Sequence, residues 1–241
     1  MTVILEAKNL TKSYGAVRVV DDLSVSLREG EALGVVGPNG AGKTTMLNLL
    51  TGVVHADAGT LSFAGTDITK LGPERRARIG MGRTYQIPRP FEGMTVFENV
   101  LVGSTYGRGE SERASYEVCA YALHRASLLP RANVLAETLS LLERKRLELA
   151  RALATEPKIL LLDEIAGGLT ENEVHSLIET IQQLRDEGIS IIWIEHIVHA
   201  LLAVVDRLMA IDFGRLIAEG DPNTVINSPE VRDVYMGSMP A

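Results

Sequence analysis

The sequence predicts an α/β fold: a core of parallel strands and helices, preceded by strand-forming segments and interrupted by a helical insertion. Three observations lead there. The apolar runs Ala32-Leu33-Gly34-Val35-Val36, Ile159-Leu160-Leu161-Leu162 and Ile189 to Ile194 are of strand length and nearly continuous, as expected of strands buried on both faces. Helical patterns follow the first two runs. Between about Ile87 and Glu156 the character shifts to helical.

Taken in chain order, Leu23, Val25 and Leu27 alternate with Ser24, Ser26 and Arg28, which predicts a half-buried strand ending at a Glu29-Gly30 turn. The run Ala32 to Val36 predicts a buried strand. Met46, Leu47, Leu49 and Leu50 then give an apolar helical face that stops at Gly52. A β element is expected from Thr60 to Ile68. In the insertion, Thr95-Val96-Phe97-Glu98 fits a capping box, and Ser111 is placed to open a helix towards Leu129. Ser140-Leu141-Leu142-Glu143 is a second capping box, opening a helix through Arg151 and Ala154 before Pro157. The core resumes at Lys158. Val174, Leu177, Ile178, Ile181 and Leu184 form one stripe on a helix from Thr170, and Gly188 is placed to stop it.

The 241 residues are enough for one large α/β unit with a substantial interior. One cysteine, Cys119, precludes an internal disulfide framework, and a reducing, cytoplasmic setting is expected. Met1 to Lys8 carries neither a basic leader nor a long apolar stretch, and no run approaches about 18 apolar residues, so membrane association is expected through partner proteins. A net charge of −7 disfavours broad attraction to a nucleic-acid backbone, and no nucleic-acid partner is expected. Arg75, Arg76 and Arg78, and likewise Arg144, Lys145 and Arg146, read as solvated helix faces.

The chemistry-bearing pattern is Gly37-Pro38-Asn39-Gly40-Ala41-Gly42-Lys43-Thr44-Thr45, which fits G-x-x-x-x-G-K-S/T between a predicted strand and a predicted helix. Glycines let backbone amides curl around a phosphate, the helix N-terminus favours its charge, Lys43 adds a cation, and the Thr44 hydroxyl suits Mg²⁺. Asp163 and Glu164 follow a buried strand, at the edge where open α/β sheets bind ligands. Asp163 suits Mg²⁺, through water. Glu164 suits orientation or deprotonation of a water attacking a nucleotide γ-phosphate. Either carboxylate alone could equally cap the next turn. His196 ends the run Ile191 to Glu195 and should project at the same edge, either towards the γ-phosphate or as a packing residue. His199 reads as a helix residue, and no cysteine or third histidine completes a zinc site with it. Gln86, at the end of another predicted strand, has an amide suited to sensing Mg²⁺ or the attacking water. Tyr14, in the turn-rich stretch Lys12-Ser13-Tyr14-Gly15, could stack on adenine or simply pack.

Together these residues resemble the nucleotide-binding subunit of an ABC transporter, in order and over nearly the whole chain. Tyr14 matches the aromatic turn, Gly37 to Thr45 the Walker A loop, Gln86 the Q-loop, Leu139-Ser140 the signature, Ile159 to Glu164 Walker B, and His196 the switch histidine. The segments Gly82 to Val100 and Ile194-Glu195-His196 through Tyr235-Met236-Gly237 look like the branched-chain amino acid uptake group. The resemblance implies a P-loop NTPase core with an antiparallel β subdomain and an inserted helical subdomain. By it, 1–86 and 157–241 form the core and 87–156 the helical part of a single 1–241 unit. It also implies two subunits facing head to tail around two ATP, with Ser140 of one meeting the phosphate loop of the other. Transmembrane permease subunits would be direct partners and a solute-binding protein an indirect one, placing the chain on the cytoplasmic face of the membrane. Phe91, Met94 and Phe97 are candidates for the permease contact or for the core of the insertion.

Three departures from the family pattern stand out. Leu141-Leu142-Glu143 replaces the usual Gly-Gly-Gln, Ile165 stands where proline is common, and Thr170 stands where aspartate or asparagine is common. Two competing readings follow: a poorly hydrolytic ATP-gated subunit beside a more active sister chain, and a soluble ABC-type ATPase unrelated to transport.

Overall fold

Two sheets form the β framework of this computed structural model, which describes residues 2–236. In the first, β1 (Val3–Tyr14) pairs antiparallel with β2 (Val17–Arg28) on one side and β4 (Ala58–Phe63) on the other, and β5 (Thr66–Asp67) closes the edge. The second runs in the order β10 (Arg215–Gly220), β9 (Arg207–Asp212), β3 (Ala32–Val36), β8 (Ser190–Ile194), β7 (Ile159–Asp163), β6 (Met81–Arg83). All its neighbours are parallel except the β10 edge. Every residue of β3, β7 and β8 is buried, which is why their sequences read as unbroken apolar runs.

Alternate residues of these strands face two different cores, following the two-residue period of a strand. Leu33, Val35, Leu161, Ile192 and Ile194 pack with Met46, Leu47 and Leu50 of α1 (Lys43–Thr51) and with Leu5, Leu23 and Leu27 of the antiparallel sheet. Leu160, Leu162, Ile191 and Trp193 face the other way. There they meet α3 (Val96–Arg108), α4 (Glu112–Arg125), α5 (Leu141–Leu153) and α6 (Glu171–Asp186). Val174, Leu177, Ile178, Ile181 and Leu184 of α6 are all buried, so the predicted stripe is the packing face. Truncating one of them, such as Leu177→Ala, is expected to cost about 2–5 kcal/mol.

Local signals set the helix starts. Thr95 and Glu98 form a reciprocal capping box on α3, Ser140 and Glu143 do so on α5, and Ser111 accepts from Ala114 N on α4. The remaining helices are α2 (Pro73–Arg78), α7 (Val198–Leu202), α8 (Pro222–Ile226) and α9 (Pro229–Met236). Among the described residues, no helix is long and apolar enough to cross a membrane. Gly237, the end of the tail motif, lies outside the described residues.

Several sequence expectations need correction. The element expected over Thr60 to Ile68 is a hairpin, because Ala64 at φ 48° and Gly65 at φ 75° turn the chain between β4 and β5. Lys12 to Tyr14 belong to the end of β1 rather than to a turn. Arg76 is no solvated residue: 2% exposed, it donates to the carbonyls of Leu49, Leu50, Ile68, Thr69 and Leu71 and ties α1 to α2. Burial lowers its pKa to about 10. Lys145 is likewise buried at the start of α5. Both lie on helices whose neighbouring basic residues are more exposed, so a charge run hides an inward position. In the insertion, Phe97 packs on the core and meets Tyr116 edge to face at 5.5 Å, whereas Phe91 remains exposed, its ring 5.2 Å from the Arg151 guanidinium carbon.

Candidate nucleotide site

The loop from Gly37 to Gly42 leaves β3 and enters α1, and close approach to other backbone dictates two of its glycines, Gly37 and Gly42. A Cβ on Gly42, which sits at φ +98°, would lie 2.6 Å from the carbonyl oxygen of Val19, and one on Gly37 would collide with that of Ile211. Both clashes are with backbone and cannot be relieved by a rotamer. Lys43, 6% exposed, turns back into the loop and donates to the carbonyls of Gly37 at 2.6 Å and Pro38 at 2.9 Å. Burial lowers the Lys43 pKa, while Glu164 and Asp163 push it back up. Asn39, Gly40, Ala41, Gly42, Lys43, Thr44 and Thr45 line a pocket of about 290 Å³ together with Gln86 and Glu164.

Glu164 stands one residue beyond β7 at φ +46°, a conformation uncommon for a residue with a Cβ. Three hydrogen bonds fix it: Glu164 N to Ile194 O at 2.9 Å, Gly167 N to Glu164 O at 3.2 Å, and Lys145 Nζ to Glu164 O at 3.2 Å. Its carboxylate is gripped from two sides. Gln86 donates Nε2 to Oε2 at 2.5 Å, and His196 Nε2 lies 2.6 Å from Oε1. Glu164, Gln86 and His196 therefore form one contact group, with Lys43 and Thr44 across the same pocket. His199, by contrast, sits on α7 with Nε2 3.2 Å from Glu171 Oε1, away from this group.

Asp163 is the last residue of β7 and is buried. Its Oδ2 accepts from Arg83 Nη2 at 3.0 Å, and its buried Oδ1 has no hydrogen-bond partner among the described residues. Burial raises the Asp163 pKa, Arg83 and Lys43 oppose the rise, and Glu164 adds to it. Asp163, Thr44 and Gln86 line one pocket of about 530 Å³ beside the phosphate loop. An unpartnered buried carboxylate oxygen, a hydroxyl and an amide oxygen are the hard-oxygen donors that magnesium takes, usually completed by substrate phosphates. No group of three or more His, Cys, Asp or Glu among the described residues could hold a metal unaided. The donor set thus fits magnesium brought in with a nucleotide.

Two predicted contacts stand apart. Tyr14 is half exposed, with Lys12 Nζ 5.7 Å above its ring. Ser140 is exposed at the α5 N-terminus, its Oγ accepting from Glu143 N at 3.3 Å, and neither residue lines the loop pocket.

Three residues escaped the sequence reading. Arg83 binds Asp163. Lys145 Nζ joins the Gln86 and Glu164 carbonyls at 3.4 and 3.2 Å. Glu195, 1% exposed, accepts from Ala166 N and His196 N, both at 2.9 Å, and so ties the loop after Glu164 to the loop of His196. Burial raises its pKa against those bonds. A carboxylate directly after a buried apolar run pointed to Asp163 and could have pointed to Glu195. Nothing in the sequence separates Arg83 or Lys145 from ordinary surface cations.

A parallel sheet whose first strand feeds a glycine-shaped loop and a helix N-terminus, with Asp163, Glu164 and His196 at the same sheet edge, defines a phosphate-loop nucleotide-binding ATPase. Residues 20–167 match the family described as ABC transporter. The high-affinity branched-chain amino acid transport ATP-binding protein LivG of Salmonella typhimurium is 35% identical over 251 residues, covering 97% of this chain and 98% of the relative. The lipopolysaccharide export system ATP-binding protein LptB of Escherichia coli is 35% identical over 233 residues, covering 97% of each. The solved ADP conformation of MJ1267, an ATP-binding cassette of an ABC transporter, matches with a TM-score of 0.90 at 31% identity, covering 99% of this chain and 100% of that one. The chain belongs to the ABC transporter family, as an ATP-binding subunit, and ATPase activity is general to that family.

Proposed function

We propose that the chain hydrolyses ATP to drive an importer of branched-chain or related hydrophobic amino acids. The observation that carries the hydrolytic part is the grip on Glu164. One carboxylate faces the pocket of Lys43 and Thr44 while Gln86 and His196 fix both of its oxygens. In this reading Glu164 orients a water and takes its proton as the water oxygen attacks the γ-phosphorus and the bond to the β-phosphate oxygen breaks. Lys43, the loop amides and the α1 N-terminus stabilise charge on the phosphate oxygens. His196 and Gln86 keep the carboxylate in place. Thr44, Gln86 and Asp163 would hold magnesium, which when bound would supply further positive charge at the phosphates. Tyr14 offers its exposed ring to adenine.

Assembly follows the same reading. A second ATP-binding subunit, identical or not, places its Ser140 and α5 N-terminus against this phosphate loop, and ATP shifts the pair towards closure by contacts made only there. Residues 87–156 act as a helical subdomain that passes closure to transmembrane permeases, holding the chain at the cytoplasmic face of the membrane, with exposed Phe91 a candidate contact. The likeness to LivG and the segment Gly82 to Val100 support amino acid uptake. Equal identity to LptB supports a second reading, service in an export system.

Glu164→Gln tests the hydrolytic role. It should preserve ATP binding and lower turnover roughly 10²-fold or more, assayed with the membrane partners present. Unchanged turnover would remove Glu164 from the role. Identification of chains that co-purify from membranes, followed by uptake and export assays of the assembled complex, separates the two transport readings.

A further inference from the structure

Arg83 reaches three elements from its place at the end of β6. Its Nη2 donates to Asp163 Oδ2 at 3.0 Å, with side chains 6% and 4% exposed. Its Nη1 donates to Asn48 Oδ1 at 2.7 Å and Thr51 Oγ1 at 3.2 Å, both on α1. The guanidinium carbon lies 4.9 Å from the ring centre of Tyr85, one residue before Gln86. A planar guanidinium can do this because its donors are fixed in a fork, so satisfying two neighbours on α1 sets the direction of the donor aimed at Asp163.

We propose that Arg83 is a positioning residue for metal-bound nucleotide: anchored on α1, it occupies Oδ2 of Asp163 and so commits the other oxygen, Oδ1, to the metal or its water. The unpartnered state of Oδ1 supports this, since a buried carboxylate oxygen without a donor is rare unless another group completes it. So does the shared pocket, where Arg83, Asp163, Thr44 and Gln86 meet. α1 is the helix that the phosphate loop opens, so the same arginine ties the metal carboxylate to the element that carries the phosphates. The inference rests on the magnesium reading above.

The test is equilibrium binding of a fluorescent ATP analogue to the purified chain, in magnesium and in EDTA, for wild type, Arg83→Met, Arg83→Lys, Asp163→Asn and the Arg83→Met/Asp163→Asn pair. Wild type should bind more tightly in magnesium. In Arg83→Met the EDTA affinity should stay within about twofold of wild type while the magnesium gain falls roughly tenfold or more, the scale for losing the partner of a metal-binding group. Arg83→Lys should restore part of that gain, and Asp163→Asn should abolish it with no further loss from Arg83→Met. A full magnesium gain in Arg83→Met overturns the proposal alone. An equal loss in magnesium and EDTA, in both Arg83→Met and Arg83→Lys, also overturns it by showing a general structural role. No magnesium gain in wild type overturns the metal reading and the proposal together.

Discussion

Nε2 of His196 lies 2.6 Å from Oε1 of Glu164, and the register of two neighbouring parallel strands brings them there. Asp163 on β7 pairs with Ile194 on β8, so the residues just past each strand end share one edge of the sheet. Gln86 takes the other oxygen of the same carboxylate from the far side. The His196→Ala variant should therefore leave nucleotide affinity nearly intact and reduce turnover on the order of 10²-fold, the usual cost of removing one positioned donor. Parallel measurement of nucleotide affinity and single-turnover phosphate release decides it: equal losses in both would place His196 in binding.

Lys43→Ala acts earlier. Lys43 is the cation inside the loop, close enough to two backbone carbonyls to donate to both. Without it, nucleotide affinity itself should fall on the order of tenfold or more, since a charge-assisted contact to phosphate contributes about 1.5–3 kcal/mol. Retained tight ATP binding in this variant would remove the loop from the cradle role.

Arg76 makes a prediction about stability alone. Its five carbonyl partners include those of Leu49 and Leu50 in the last turn of α1. Gly52 N also reaches Leu49 O and Leu71 N also reaches Ile68 O, so the Leu50, Thr69 and Leu71 carbonyls depend on Arg76 most. Arg76→Met should lower stability by about 3 kcal/mol, because it takes the donor from buried Leu50 O and from the part-buried Thr69 and Leu71 carbonyls. Arg76→Lys should recover only part, having one point of charge in place of a fork. Denaturant unfolding of the three chains measures both effects.

Glu31 makes a prediction about pH. Burial pushes its pKa up, but two bonds from Arg207, at 2.7 and 3.0 Å, and one from Arg28 N at 2.8 Å prevail and hold it below the ordinary 4.5. A folded-state pKa below the unfolded one stabilises the fold fully above the unfolded value, and the contribution disappears as pH falls through the folded value. Glu31→Gln should cost about 1–3 kcal/mol at neutral pH. The gap from wild type should shrink in acid, as followed by denaturation midpoints across that range. A gap independent of pH would show that the ionised carboxylate is not its source.

Where local physics decides, the sequence was explicit. Apolar runs of strand length at Ile159 to Leu162 and Ile189 to Ile194 predict buried strands and fall on β7 and β8, and Thr95 to Glu98 and Ser140 to Glu143 announce helix starts because their bonds span three residues. The phosphate loop was legible for the same reason. Its glycines, lysine and threonine lie within nine consecutive residues between a strand and a helix, although the backbones of Val19 and Ile211 that exclude a Cβ at Gly42 and Gly37 come from elsewhere in the chain. Placement of Asp163, Glu164 and His196 at strand ends also followed, since the sheet edge is a rule of α/β architecture. The tertiary structure alone decided who meets whom across the chain. That Gln86 closes on Glu164, that Arg83 divides its donors between Asp163 and α1, and that Arg76 and Lys145 turn inward while their basic neighbours stay more exposed all depend on contacts between segments distant in sequence. Periodicity assigns a residue to a face, but a long cation can be drawn inward by carbonyls and carboxylates contributed from elsewhere, and only the packed fold shows where those acceptors lie.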